Sequence, residues 1–196
     1  LGGEGGGNDG SQIGRATWTV WKNNIPSGFH SFGRIKHRDQ EERMRTMNLS
    51  DLLTEDLMVL ELEGTTRDEV MNELLDKLDE SGALADREVF RRDLYAREEH
   101  SSTGIGFGIA IPHGKSSGVH EARVAFGRKK AGVDWDSIDG EPAHLVFMIA
   151  VPKEQAGDEH LKILQALSRK LMDENFRRSL REAEDRGTLR RLVEEM

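Results

Sequence analysis

Residues 144–151 read His-Leu-Val-Phe-Met-Ile-Ala-Val, apolar at every position after the first. A strand with one wet face alternates apolar and polar residues; an unbroken apolar run implies a strand covered on both faces. The run Leu145–Val151 is also far short of the ~20 residues of a membrane-spanning helix. It therefore predicts the centre of a sheet in a soluble fold. The sequence around it supplies the partners. Ala122–Gly127 alternates, Leu57–Leu62 and Ile109–Ile111 are short apolar stretches, and Gly132–Trp135 can begin a further short strand.

Helical patterns lie between these strands. Thr66-Arg-Asp-Glu69 fits a capping box, followed by Val70, Met71, Leu74, Leu75 and Leu78 at helical spacing and by Gly82 as a stop. Asp86 can cap a second helix through Phe90 and Leu94, and Asp158 a third through Leu161, Leu164, Leu167 and Leu171. Two more helical stretches are expected, one with Phe176, Leu180 and Ala183 and one ending at Leu192 and Val193. Strands and helices interleave without an internal repeat. The predicted class is α/β: a mixed β-sheet flanked by helices on both faces, in one domain over residues 47–196.

Composition divides the chain unevenly. Residues 1–46 hold 9 of the 21 Gly and two of the three Trp and carry +2, whereas residues 47–196 carry −10. Residues 1–46 are expected to be a disordered or non-native leader, with Met47 as a natural beginning. The opening Leu-Gly-Gly-Glu-Gly-Gly-Gly has neither the basic nor the apolar region of a secretory signal. A net charge of −8 argues against a nucleic-acid partner, which needs a basic face. With no Cys, the chain holds no disulfide, thiolate metal site or cysteine nucleophile.

Candidate chemistry narrows to histidine. The cluster Gly104-Ile-Gly-Phe-Gly108 follows a helix and feeds a strand, the reverse of a dinucleotide fingerprint, and has no P-loop ending. His120-Glu121 lacks the second His of a zinc-protease helix. His144 reads as a hydrogen-bonded core residue and His100 and His120 as exposed, while His30 and His37 fall in the leader. His113 stands apart. It follows Gly108-Ile-Ala-Ile-Pro112, where a strand runs out, and Gly114 leaves space beside it; strand ends are where α/β sheets meet ligands. His160 lies in the first turn of the helix after Asp158, where free N–H groups favour anions, although Asp158 and Glu159 compete there.

The stretch Ser102-Thr-Gly-Ile-Gly-Phe-Gly-Ile-Ala-Ile-Pro-His-Gly-Lys115 resembles the phosphohistidine motif of enzyme IIA domains of the fructose–mannitol type, from the phosphoenolpyruvate-dependent sugar phosphotransferase system. Asp139–Pro152, Gly157–Leu164 and Leu94–Glu99 resemble further family segments in the same order. The Gly157-Asp-Glu-His segment leans towards fructose-type members. The resemblance implies that His113 is the phosphorylated nucleophile, with His160 and Arg97 binding phosphoryl oxygens and Thr103, Gly104, Gly106 and Gly114 supporting the loop. It implies a donor, the histidine-carrier phosphoprotein (phospho-HPr), and an acceptor, an enzyme IIB domain, with the membrane permease IIC engaged indirectly. No metal or other cofactor and no direct membrane insertion are implied, and the location is the bacterial cytoplasm. The alternative reading is a regulatory protein of the nitrogen branch, whose phosphorylation state controls binding to transporters or regulators. Phe107 departs from the family pattern, which favours Asn there. Such a residue is either compensated or forms an apolar rim for a partner.

Overall fold

The computed structural model describes residues 49–153 and 159–195. The expectations for residues 1–46, for Met47 and for the Asp158 cap lie outside these, as do the side chains of His160 and Leu161. The elements follow as α1 (Leu49–Leu52), a 3-10 turn (Glu55–Leu57), β1 (Met58–Val59), α2 (Arg67–Glu80), α3 (Arg87–His100), β2 (Gly104–Gly106) and β3 (Ile109–Ala110). Then come β4 (His113–Ser116), β5 (Arg123–Val133), β6 (Ala143–Pro152), α4 (Glu159–Leu171), α5 (Glu174–Glu182) and α6 (Arg186–Glu194).

Strand β6 is central, as its composition requires. Leu145 to Pro152 are all buried, so both faces of the pleat are covered. On one side β6 pairs antiparallel with β5, which pairs parallel with β1; on the other it pairs parallel with β3 and then β4. Strand β2 closes that edge antiparallel to β3. Phe126 and Phe147 are register partners on β5 and β6, and their rings lie 5.0 Å apart in a tilted pair. The sheet is mixed and the class is α/β, in agreement with the sequence.

The helix caps form where the sequence places them. The Thr66 hydroxyl accepts from Glu69 N–H, and the Glu69 carboxylate accepts from Thr66 N–H, so the capping box is complete. Val70, Met71, Leu74, Leu75 and Leu78 form the buried stripe of α2. Asp86 accepts from Val89 N–H at the start of α3.

Two strand expectations need correction. Residues 57–62 do not form one strand: the 3-10 turn takes Leu57, and the ladder is confined to Met58 and Val59. Beyond them, the Leu60 carbonyl accepts from the Arg128 guanidinium, and Leu62 N–H donates to the Arg128 carbonyl outside the regular ladder. Gly132-Val133 is not a separate strand but the end of β5. An irregularity between Arg128 and Val133 lets the strand rejoin β6, with Val133 opposite Ala143.

Buried arginines close the helix ends. Arg128, 6 % exposed, donates to the carbonyls of Leu180, Arg181 and Ala183 at the C-terminus of α5. Arg177 donates in the same way to Leu171 and Met172 at the end of α4. Terminal carbonyls have no intrahelical partner and sit at the negative end of the helix dipole, so a guanidinium satisfies both.

Candidate functional site

The site begins with a broken strand. Strands β3 and β4 run along β6 in one uninterrupted register, with Ala110 opposite Val146 and His113 opposite Ile149. Between them Pro112 has no N–H to give to a ladder. Ile111 N–H turns away and donates to the Thr103 carbonyl. His113 therefore opens β4 rather than ending β3, and the Ile111 carbonyl is left beside its own imidazole.

That carbonyl decides the chemistry of His113. His113 Nδ1 lies 2.8 Å from Ile111 O. A carbonyl can only accept, so Nδ1 carries the proton. Nε2 then holds the lone pair, and it accepts from Arg97 Nε at 3.1 Å. With one ring nitrogen protonated and the other accepting, the imidazole is in its neutral tautomer, and the residue is 9 % exposed.

Arg97 reaches His113 from the last turn of α3. Its Nη1 donates to the Ser101 carbonyl at 3.0 Å, and its Nη2 has no hydrogen-bond partner among the described residues. Burial pulls the guanidinium below its ordinary pKa, with the neighbouring Glu98 pulling the other way. A cation whose hydration has been stripped, with donors still unspent, gains from an incoming anion.

Glu98, the next residue, was not singled out from the sequence. It is 7 % exposed and accepts from Thr103 N–H at 3.0 Å and from the Thr103 hydroxyl at 2.6 Å. The Trp135 indole donates to the same hydroxyl at 3.1 Å. Hydrogen bonds thus run from Glu98 to Thr103, from Thr103 to Ile111 and from Ile111 to His113. The only sequence signals were the adjacency of Glu98 to Arg97 and the single Trp of residues 47–196.

Thr103 supports the loop as scaffold, its hydroxyl being spent on Glu98 and Trp135. Gly104 opens β2, its N–H donating to the Ser102 hydroxyl. Gly114 does not leave space beside the imidazole: a Cβ there would meet Phe90 at 2.9 Å, so the glycine lets α3, and Arg97 with it, close onto β4. Gly106 has φ +86°, and a Cβ on it would strike the Asp139 carboxylate.

The hairpin between β2 and β3 explains Phe107. Phe107 and Gly108 are its two loop residues, with φ of 56° and 74°. A two-residue hairpin with both φ positive is a type I′ arrangement, where Asn-Gly is favoured. Here Phe stands in the Asn position and is compensated. Its N–H donates to Asp139 at 2.8 Å, its carbonyl accepts from Arg181 at 2.8 Å, and the Arg177 guanidinium lies 5.0 Å from its ring centre.

His100, His120 and His144 are the other histidines whose side chains are described. His144 Nδ1 is 3.2 Å from the Lys129 carbonyl, so it is hydrogen-bonded as expected, but it is half-buried near the start of β6 rather than a core residue. His100 and His120 are exposed, His100 as the last residue of α3 rather than in a loop. The backbone of His160 occupies the first turn of α4.

The family model described as "Phosphoenolpyruvate-dependent sugar phosphotransferase system, EIIA 2" matches residues 51–196. A "PTS system fructose-specific EIIABC component" of Bacillus subtilis is 46% identical over 143 residues, covering 73% of this chain and 22% of that protein. A "PTS system fructose-specific EIIA component" of Haloferax volcanii is 40% identical over 153 residues, covering 78% of this chain and 99% of that protein. The chain thus spans about a fifth of the first relative and nearly all of the second. Among solved structures, the nitrogen regulatory protein IIA-Ntr of Neisseria meningitidis superposes with a TM-score of 0.65 at 32% identity, covering 74% of this chain and 98% of that one. No helix among the described residues is long and apolar enough to cross a membrane. The chain belongs to the EIIA type 2 family of the phosphoenolpyruvate-dependent sugar phosphotransferase system.

Proposed function

We propose that the protein is a phosphocarrier that accepts a phosphoryl group on His113 Nε2 from phospho-HPr and passes it to an enzyme IIB domain, in fructose-type sugar uptake in the cytoplasm. The observation that carries this reading is the pair of bonds on His113: a carbonyl on Nδ1–H and a guanidinium on the Nε2 lone pair. Attack by Nε2 on phosphorus forms one N–P bond as the donor's N–P bond breaks, and the ring gains positive charge. The Ile111 carbonyl stabilises that charge through Nδ1–H. Arg97 leaves Nε2 and re-aims at the phosphoryl oxygens, where transfer needs positioning and charge stabilisation above all. His160 adds a second donor from the first turn of α4. When the acceptor attacks, neutral imidazole leaves, and Arg97 returns to its lone pair. The names of the two fructose-specific relatives support the substrate branch.

The nitrogen-branch reading has one observation of its own, the structural match to IIA-Ntr. In that reading His113 is still phosphorylated, and the output is contact with a transporter or regulator.

Incubation with phosphoenolpyruvate, enzyme I and HPr should label the protein with acid-labile, base-stable phosphate. His113→Ala should abolish the label; persistent labelling would reject the site. A panel of IIB acceptors then separates the readings, since a carrier discharges to a fructose-type IIB domain and a regulator does not.

A further inference from the structure

A second cationic cleft lies at the other end of β6 from His113. His113 is level with Ile149, and His144 is five residues back along the strand, roughly 16 Å away at ~3.3 Å per residue. The cleft has a volume of about 390 Å³ and lies between the Phe107 hairpin, Pro142, His144 and helix α5. That size is in the range of small-molecule sites.

Its charge is out of keeping with the rest of the molecule. Residues 47–196 carry −10, yet Arg177, Arg178 and Arg181 all line this cleft. None of the three forms a salt bridge among the described residues. Arg177 donates to helix-end carbonyls, Arg178 to the Asn175 side chain at 2.7 Å, and Arg181 to the Phe107 carbonyl. Like charges one helical turn apart repel. Burial lowers the pKa of Arg177 and the charge of Arg181 lowers it further, while Glu174 and Asp173 pull the other way. Two carboxylates, Glu141 and Glu174, line the same cleft without a salt bridge to the arginines among the described residues, and Phe107, whose ring also faces Arg177, and Pro142 add apolar surface.

Guanidiniums and carboxylates without salt bridges among the described residues, beside an apolar face, match different parts of one ligand. Guanidiniums bind phosphate oxygens in a fork. Carboxylates accept hydrogen bonds from hydroxyl groups. An aromatic or proline face takes the C–H face of a ring. We propose that this cleft binds a phosphorylated monosaccharide, with the phosphate on Arg178 and Arg181 and the hydroxyls towards Glu141 and Glu174. Because Arg181 holds the Phe107 carbonyl, an occupant also touches the hairpin that leads into β3 and the His113 strand.

The test uses the full, unphosphorylated chain and is independent of phosphoryl transfer. Fructose 1-phosphate, glucose 6-phosphate, fructose and inorganic phosphate are titrated in turn, with amide chemical shifts and calorimetry as readouts. A sugar phosphate is expected to shift Phe107, Gly108 and His144 and to bind at least tenfold more tightly than inorganic phosphate or fructose. Arg178→Glu, at a residue whose side chain hydrogen-bonds only to Asn175 among the described residues, should weaken binding at least fivefold without loss of fold; Arg97→Ala should leave it unchanged. Shifts confined to Arg97 and His113 would overturn the proposal. So would equal affinity for inorganic phosphate, or undiminished binding by Arg178→Glu.

Discussion

At the scale of single residues, Phe107 shows how a departure from a family pattern is absorbed. A non-glycine residue in the left-handed region costs about 1–2 kcal/mol, and Asn tolerates it better than most. Phe107 keeps a cation–π contact with Arg177 worth about 0.5–1 kcal/mol. Phe107→Asn should therefore lie within about 1 kcal/mol of the parent in urea unfolding, losing the ring contact but easing the turn. Phe107→Ala loses the ring and keeps the strain, so its midpoint should fall below that of Phe107→Asn. Coincident midpoints would show that the left-handed turn is not what discriminates among side chains here. His113 works by the same economy of atoms. One carbonyl assigns its tautomer and leaves the Nε2 lone pair to accept from Arg97.

At the scale of elements, the last turn of α3 and the residues after it act as one unit. Removing the carboxylate in Glu98→Ala leaves the buried Thr103 N–H and hydroxyl short of an acceptor, which costs about 1–3 kcal/mol. Urea unfolding should show a loss of that order, and the rate of labelling by phospho-HPr should drop with it. Glu98→Gln, which keeps an acceptor for the N–H, should recover much of both. An unchanged labelling rate in Glu98→Ala would show that Thr103 and Ile111 hold His113 without it.

Helix α2 makes a separate prediction about acid. Hydrogen bonds from the Thr65 backbone and hydroxyl and from the Thr66 backbone lower the Glu69 pKa from 4.5 to about 2. A depressed carboxylate contributes stability above its unfolded pKa and loses it as pH falls through the folded one. The contribution of Glu69 is thus present above about pH 4.5 and fades towards pH 2. Asp185, which caps α6, is lowered in the same direction by Thr188. Glu69→Gln should flatten the acid limb of a stability–pH curve in that window and change its slope little near pH 7. An unchanged acid limb would count against the capping box as a titrating element.

At the scale of the whole chain, the contrast between +2 and −10 has a practical reading. The family match covers residues 51–196. Removal of residues 1–46 is expected to leave both the thermal midpoint and the labelling rate unchanged. A large loss of either would assign those residues to the domain. The acidity of the remainder also gives the arginine cleft its contrast, since three guanidiniums without salt bridges are more conspicuous on a surface of opposite sign.

What could be read along the chain was what depends on local periodicity and local hydrogen bonding. The unbroken apolar run placed β6 at the centre, Thr66 and Glu69 announced the start of α2, and Asp86 announced α3. Resemblance singled out His113 and Arg97, and the fold joins the two side chains by a hydrogen bond. Interactions between distant residues left no such trace. Arg128 takes the Leu60 carbonyl across 68 positions, just past a ladder that apolar residues alone predict as longer. Gly114 exists for the close approach of Phe90, not for space at the imidazole. The proton on His113 Nδ1 follows from the break at Pro112, which sets a carbonyl beside the ring. Side-chain pattern is written residue by residue, whereas a tautomer, a close helix contact and a cluster of unpaired charges exist only once chain segments far apart have packed together.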